Sequence, residues 1–227
     1  FTGRYWRIRN VPVYPKPLQR PHPPLAIAVT SPESIGWAAS RGYAMLSSGL
    51  GTPLSVTLAN RDRYVEGLRG AGCSPAQVED LLSHWVVTKH VYVAPTDAEA
   101  QADARGPEMW YRDSFIRSLS ADGLAGLDAS VYVNAEAMMA RLRSQSWEDL
   151  LESALIVGSP ETVARKLSQL EEAGVGEVAC WMNFGGLPTD RVRRSMRLFA
   201  EQVMPSFRVG DASAPRATAS SPPVRTA

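Results

Sequence analysis

Two short motifs combine hydroxyl side chains with the start of a helix, each directly after an apolar segment. They read Ser31-Pro32-Glu33-Ser34 and Ser159-Pro160-Glu161-Thr162. In both, the serine suits the N-cap and the proline the first helical position. A helix N-terminus has free backbone N–H groups and a partial positive charge, so nearby hydroxyls favour a phosphate. Thr30, Ser31 and Ser34 make the first motif the better candidate, and simple helix capping is the alternative.

Further polar and aromatic residues follow two other strand-like segments. Ser47 and Ser48 end one of them, and Trp181-Met182-Asn183-Phe184 ends another. In a parallel α/β fold the carboxyl ends of the strands share one rim, where ligands bind. These residues are therefore expected at the same rim, and filling of the core is an equally good interpretation.

Other kinds of site receive no support from the sequence. Gly49-Leu50-Gly51 follows a strand but lacks the later glycine of a nucleotide-binding loop. The three histidines are His22, His84 and His90. They are scattered along the chain, and none has a carboxylate at a spacing that suggests a pair. They are therefore interpreted as packed or surface residues. Neither cysteine has a metal-ligand partner nearby. The sequence therefore predicts no metal site.

Charge and composition exclude several classes of protein. The 227 residues carry 24 Lys and Arg against 23 Asp and Glu, a net charge of +1, which argues against general nucleic-acid binding and polybasic membrane anchoring. A hydrophobic fraction of 44% and a charged fraction of 21% are typical of globular proteins. The apolar run Pro24–Val29 is too short to span a membrane. With two cysteines, a soluble, cytoplasmic protein is expected. The start at Phe1 suggests a fragment.

Strand-like and helix-like segments alternate between the two ends, which predicts a parallel α/β architecture. The predicted strands are Leu25–Val29, Tyr43–Ser48, a segment within His84–Val93, and Glu177–Phe184. The predicted helices begin at Ser31, at Thr52-Pro53, at Ser74-Pro75, at a Thr96–Glu99 capping box and at Ser159, and a last amphipathic helix ends before Pro205. The signals are weak from Gly106 to Leu155, where tryptophans, methionines and scattered alanines suggest irregular helical segments.

The two ends of the chain differ from this middle part. Arg4–Arg9 alternates charged with bulky apolar residues, which predicts a short half-exposed strand, and a proline-rich run follows it. Val209–Ala227 is small, polar and proline-containing, typical of a disordered linker. The expected division is therefore 1–24, a proline-rich loop region; 25–207, the βα units; and 208–227, a tail or linker.

Several stretches resemble the luciferase-like flavin-dependent monooxygenases, the family of bacterial luciferase. They are Pro15–Pro21, Leu25–Ala39 with its Ser-Pro-Glu-Ser motif, and Val157 through Pro205. The resemblance extends to about Phe207. It implies a (β/α)8 TIM barrel of which this chain is the C-terminal half, its predicted strands being the last four of the barrel.

The resemblance also implies a cofactor site for reduced FMN. The segment after the fifth barrel strand holds the FMN phosphate in the family and aligns with Thr30, Ser31 and Ser34, although Thr30 replaces a glutamate. The end of the sixth strand, which lies against the flavin ring, aligns with Met45, Ser47 and Ser48. The family's active-site histidine and phosphate-binding arginine belong to the other half of the barrel, so no catalytic residue is assigned.

The implied activity is oxygenation of a small organic or carrier-protein-bound substrate, with O2 as co-substrate and a flavin reductase as partner. Domains of this kind occur in natural-product assembly lines, so a multidomain chain or a homo-oligomer is expected, with no nucleic acid or membrane as partner. Two alternatives stay open: a non-catalytic flavin-binding partner subunit, and a deazaflavin-dependent dehydrogenase on the same barrel.

Overall fold

The alternation of strands and helices continues through most of the chain in the structure, a computed structural model that describes residues 1–12, 14–20, 22–48, 51–118 and 138–207. The strands are β1 (Ala26–Val29), β2 (Ala44–Ser48), β3 (Val86–Val93), β4 (Ile156–Gly158) and β5 (Glu177–Trp181). The helices are α1 (Pro32–Arg41), α2 (Leu54–Gly70), α3 (Pro75–Ser83), α4 (Asp97–Ser118), α5 (Trp147–Ser153), α6 (Pro160–Glu172) and α7 (Thr189–Leu198). Residues 138–144 are also helical. The predicted α/β class is confirmed.

The strands form one parallel sheet in which β3 has the most neighbours. β1 pairs with β2, and β2 pairs with the beginning of β3. The first five residues of β3 also pair with β5, while its last three pair with β4. Because every pairing is parallel, the carboxyl ends of the strands lie at one rim of the sheet, and the loops that follow them meet there.

The two faces of the sheet are covered differently. Side chains alternate along a strand, and one face packs against the helices in the main hydrophobic core, which includes Val29, Met45 and Val87. The opposite face, here called the open face, carries exposed side chains; they are Ala26, Ala28, Glu177, Ala179 and Trp181. In a (β/α)8 barrel the face opposite the helices is the interior. No helix in the described residues is long and apolar enough to cross a membrane.

Most of the predicted helix starts are confirmed. Ser31, Ser74 and Ser159 are N-caps whose side chains accept a backbone N–H three residues on. Thr52 is not a cap, because Pro53 takes the N-cap position without a side-chain bond. The side chain of Thr96 accepts the backbone N–H of Glu99 as predicted. The Glu99 carboxylate pairs with Arg194 and does not complete the capping box.

Three predictions of local structure were wrong. Arg4–Arg9 is not a strand: within the described residues it makes one isolated bridge, Thr2 with Arg7, because no neighbouring strand is available to extend the pairing. The weak region after Gly106 is not irregular at its start, since α4 continues through Pro107 to Ser118. The last predicted strand ends at Trp181 rather than Phe184, and glycines 185 and 186 then turn the chain with positive φ angles. The predicted tail 208–227 lies outside the described residues.

The uneven pairing of the sheet leads to a prediction about amide exchange. Residues 86–88 of β3 are paired with strands on both sides, whereas β1 is paired with β2 and exposes the open face, so β1 should open more easily. We expect the amides of residues 86–88 to exchange at least about tenfold more slowly than those of 26–29, measured by mass spectrometry or NMR. Slow exchange throughout Leu25–Val29 in the isolated chain would contradict this.

Candidate functional site

The three predicted phosphate-site residues lie together where β1 passes into α1. The backbone N–H of Ser34 donates to Oγ of Ser31 (3.2 Å), while Oγ of Ser34 accepts the N–H groups of Ser31 (3.0 Å) and Thr30 (3.2 Å). The Ser34 hydroxyl also donates to the carbonyl oxygen of Ser31 (2.8 Å). Both hydroxyls therefore sit at the first turn of a ten-residue helix, at the rim.

The donor set at this helix start suits an oxyanion. It consists of hydroxyls and backbone N–H groups next to the positive end of the helix dipole, and Ser31 and Ser34 are half-buried while Thr30 is exposed. A hydroxyl can rotate from its capping partner to a ligand oxygen without backbone movement. The geometry thus supports the capping function, and it has the donors that a phosphate requires.

The second serine motif is already filled by a carboxylate of the chain itself. Asp97, the first residue of α4, accepts the backbone N–H of Ser159 (2.6 Å) and the hydroxyl of Thr162 (3.0 Å). The backbone N–H of Ser159 is the main cause that lowers the pKa of Asp97, against a smaller opposing effect of burial. Of the two motifs, the one at Ser31 is therefore the one whose helix N-terminus no described carboxylate side chain caps.

The lowered pKa of Asp97 predicts how its contribution to stability depends on pH. A depressed folded-state pKa means that the stabilisation is complete above the unfolded pKa, about 3.9, and is lost as pH falls through the folded value. Because Asp97 is exposed, we expect Asp97→Ala to lower the unfolding free energy at pH 7 by no more than about 0.5–1 kcal/mol. Urea unfolding should show the difference shrinking below about pH 4, and a difference that is constant down to pH 2.5 would contradict the assignment.

Two of the three residues predicted to lie against the flavin ring, at the end of β2, face the hydrophobic core on the helix side. Met45 is fully buried in the helix-side core, and Oγ of Ser47 accepts the indole N–H of Trp85 at 2.9 Å, also within that core. Ser48 is the last residue of β2 and pairs with Thr88, and its side chain lies outside the described part. The structure therefore shows a packing function for Met45 and Ser47, and their role next to a flavin stays a prediction.

A histidine and a carboxylate meet at the open face, where sequence reasoning found no such pair. Nδ1 of His90 lies 2.6 Å from Oε2 of Glu108, and the two side chains are 0% and 4% exposed. His90 is in register with Trp181, so it lies on the open face near the carboxyl end of β3. Nε2 of His90 is buried and has no hydrogen-bond partner in the described structure.

Three aromatic side chains surround the imidazole of His90, and we call them the aromatic box. Phe184 stacks on the ring (centroids 4.5 Å apart, 10° between planes), while Tyr111 and Trp181 meet it edge to face at 4.9 and 5.2 Å. They come from the loop after β5, from α4 and from β5 itself. The box thus joins three elements at one histidine.

A signal for this pair was present in the sequence. Ala100, Ala104 and Glu108 recur every four residues and form the buried stripe of α4. A glutamate in line with two alanines indicates a buried carboxylate that needs a partner. His90 lies 18 positions earlier, so residue spacing was uninformative, and the interpretation of His90 as only a packed residue missed the pair.

Comparison with known proteins gives a consistent result. The family model described as luciferase-like monooxygenase matches residues 1–177. Protein y4wF of Sinorhizobium fredii is 30% identical over 198 residues, covering 84% of this chain and 50% of that protein. The oxygenase component of the flavin-dependent trigonelline monooxygenase of Acinetobacter baylyi is 25% identical over 222 residues, covering 91% and 54%. The chain thus spans about half the length of the curated relatives it matches.

Solved structures agree on the fold. The oxygenating constituent of 3,6-diketocamphane monooxygenase of Pseudomonas putida, in complex with FMN, superposes with a TM-score of 0.59 at 23% identity, covering 90% of this chain and 57% of that chain. An F420-dependent secondary alcohol dehydrogenase gives 0.60 at 20% identity, covering 92% and 56%. The predicted TIM-barrel class of the luciferase-like type is confirmed.

Proposed function

Because the chain belongs to the luciferase-like monooxygenase family, we propose that it forms the phosphate-binding part of a monooxygenase that uses reduced FMN and O2. The observation that carries the proposal is the hydroxyl and N–H cluster at Thr30, Ser31 and Ser34. This cluster lies at the rim where barrel ligands bind, and no described carboxylate side chain caps its helix as Asp97 caps α6.

In this proposal the residues of the chain bind and orient the cofactor. Ser31 and Ser34 would donate their hydroxyl protons to phosphate oxygens next to the positive end of the α1 helix dipole. Trp85 fixes the end of β2 by donating its indole N–H to Ser47, and the next residue, Ser48, would lie near the flavin ring. When bound, reduced FMN supplies the electrons that activate O2.

The partners follow from the same proposal. Trigonelline monooxygenase is named as having an oxygenase component, and a separate reductase would likewise supply reduced FMN to this protein. The substrate is a small organic molecule, free or attached to a carrier protein, and a role in natural-product biosynthesis fits this class. The site of the reaction is cytoplasmic in this proposal.

The test couples the protein to an NADH-dependent flavin reductase and measures oxygen uptake together with flavin binding. We expect FMN to bind more tightly than riboflavin, and oxygen uptake to depend on both FMN and the protein. FMN binding without any change in oxygen uptake would favour a non-catalytic partner subunit. Reduction of a deazaflavin by a secondary alcohol, without FMN binding, would show a dehydrogenase and overturn the proposal.

A further inference from the structure

The His90–Glu108 pair has a charge state that its surroundings restrict. The carboxylate of Glu108 is almost fully buried, and among the described residues it makes no ion pair other than that with His90. A buried ionised carboxylate next to a neutral imidazole would leave one uncompensated negative charge, which is costly in an apolar environment. The pair is therefore expected to be neutral as a whole.

A proton on Oε1 of Glu108 would have no acceptor among the described residues, so two neutral states of the pair are considered, and both put a proton on Nε2. In the first, an imidazolium donates Nδ1–H to the carboxylate, and Nε2 also carries a proton. In the second, a carboxylic acid donates its proton to the lone pair of Nδ1, and the single ring proton is on Nε2. Nε2 is thus a hydrogen-bond donor in either state, and it is the atom that lacks a partner.

We propose that Nε2–H of His90 is the polar contact of the substrate subsite, donating to an acceptor oxygen on a flat, largely apolar molecule. The aromatic box supplies the flat apolar walls, and Glu108 is a positioning residue that sets the proton and the ring orientation. The role as a substrate subsite rests on the proposed function, whereas the donor assignment rests on the pair alone.

The box also indicates how a ligand reaches Nε2. Phe184 is buried, whereas Tyr111 is partly exposed and Trp181 is 39% exposed on the open face. Trp181 is therefore the most exposed wall of the box, and a molecule that approaches from the open face meets it first. A carbonyl oxygen attached to an aromatic ring has the right combination of shape and acceptor.

The first experiment reads the ring protons directly. In protein labelled with 15N-histidine, long-range 1H–15N spectra at pH 8 resolve three imidazoles, and the His90 signals are assigned with a His90→Phe, Glu108→Leu double variant. We expect His90 to carry a slowly exchanging proton on Nε2. A proton on Nδ1 together with an unprotonated Nε2 would overturn the donor assignment.

The second experiment uses a ketone and its hydrocarbon analogue, acetophenone and ethylbenzene, as probes. Acetophenone should shift the Nε2–H signal of His90 and bind more tightly than ethylbenzene. The double variant removes donor and carboxylate together, which avoids leaving Glu108 buried without a partner. It should weaken acetophenone binding about tenfold and leave ethylbenzene binding unchanged.

His84 provides the matched control, since it is a half-exposed histidine just before β3 that pairs loosely with Glu177. His84→Gln should change neither affinity. Equal affinities for the two probes in the unaltered protein, or no response of His90 to acetophenone, overturns the subsite. FMN affinity is measured in the same variants. If FMN does not bind but acetophenone still binds more tightly than ethylbenzene, the flavin proposal alone is contradicted. If FMN binds but the two probes bind equally, the subsite alone is contradicted.

Discussion

Replacing Ser31 and Ser34 together by alanine should weaken FMN binding at least about tenfold and leave riboflavin binding nearly unchanged. Hydrogen bonds to a charged group contribute about 1.5–3 kcal/mol each, and the variant loses the two hydroxyls that would face a dianionic phosphate in the proposed function. Riboflavin has the same ring system without the phosphate. Quenching of flavin fluorescence during titration measures both affinities.

The control for this double variant is a second capping box elsewhere in the fold. Ser31 and Ser34 also cap α1, so their loss should lower stability by about 0.5–2 kcal/mol whatever they bind. Ser74, which with Gln77 caps α3 in the same reciprocal manner, is not at the proposed site. Ser74→Ala should cost similar stability without affecting FMN. Parallel losses of FMN and riboflavin affinity would mean that the serines maintain the fold and do not bind phosphate.

Gly185→Ala should be among the most damaging single substitutions in the chain. A Cβ at Gly185 would overlap the carbonyl group of Pro107 in α4, and the residue has a φ of +60°, which side chains other than glycine rarely adopt. The loop would have to leave α4, and Phe184 next to it would lose its stacking on His90. We expect the unfolding free energy to fall by about 2–5 kcal/mol, as strain and overpacking add.

Gly186 separates the two causes of this loss. It has a similar φ of +75°, but a Cβ there would meet no atom within 4 Å. Gly186→Ala should therefore show the backbone strain alone, about 1–2 kcal/mol. Urea unfolding of both variants gives the difference, about 1–3 kcal/mol if the close approach to Pro107 exists. Equal effects of the two substitutions would show that the loop does not pack on α4 in this way.

Local signals predicted the parts of the fold that local chemistry determines. Ser31-Pro32 predicted the start of α1 correctly, because a cap and a first-turn proline act within a few residues, and Gly42 ends the helix as a left-handed C-cap. Pro107 shows the limit of such local signals: proline usually ends a helix, yet α4 continues through it because tertiary packing outweighs the local cost of the proline. β4, three residues long, is defined by its pairing with β3 and not by its own pattern.

The residues of the candidate site also differ in whether the local sequence could predict their contacts. Thr30, Ser31 and Ser34 are adjacent in sequence, so their cluster could be predicted, whereas the capture of Ser159 and Thr162 by Asp97 spans more than 60 positions and could not. Ser47 was predicted from its position at the end of β2, but alternation turned its side chain towards Trp85. Residues that meet only after the sheet has formed require the sheet to be known.

The Asp97 carboxylate can also be regarded as an intramolecular competitor of free anions for the start of α6. Because it is attached to the chain, its effective concentration at the start of α6 is on the order of millimolar or more, so free anions at lower concentration cannot displace it. The two serine motifs at the rim are thereby made unequal, because a carboxylate of the chain binds the one at Ser159 and no described carboxylate caps the one at Ser31. Under the proposed function, Asp97 would keep the FMN phosphate from the motif at Ser159, so that the choice between the two motifs would need no extra contact with the cofactor.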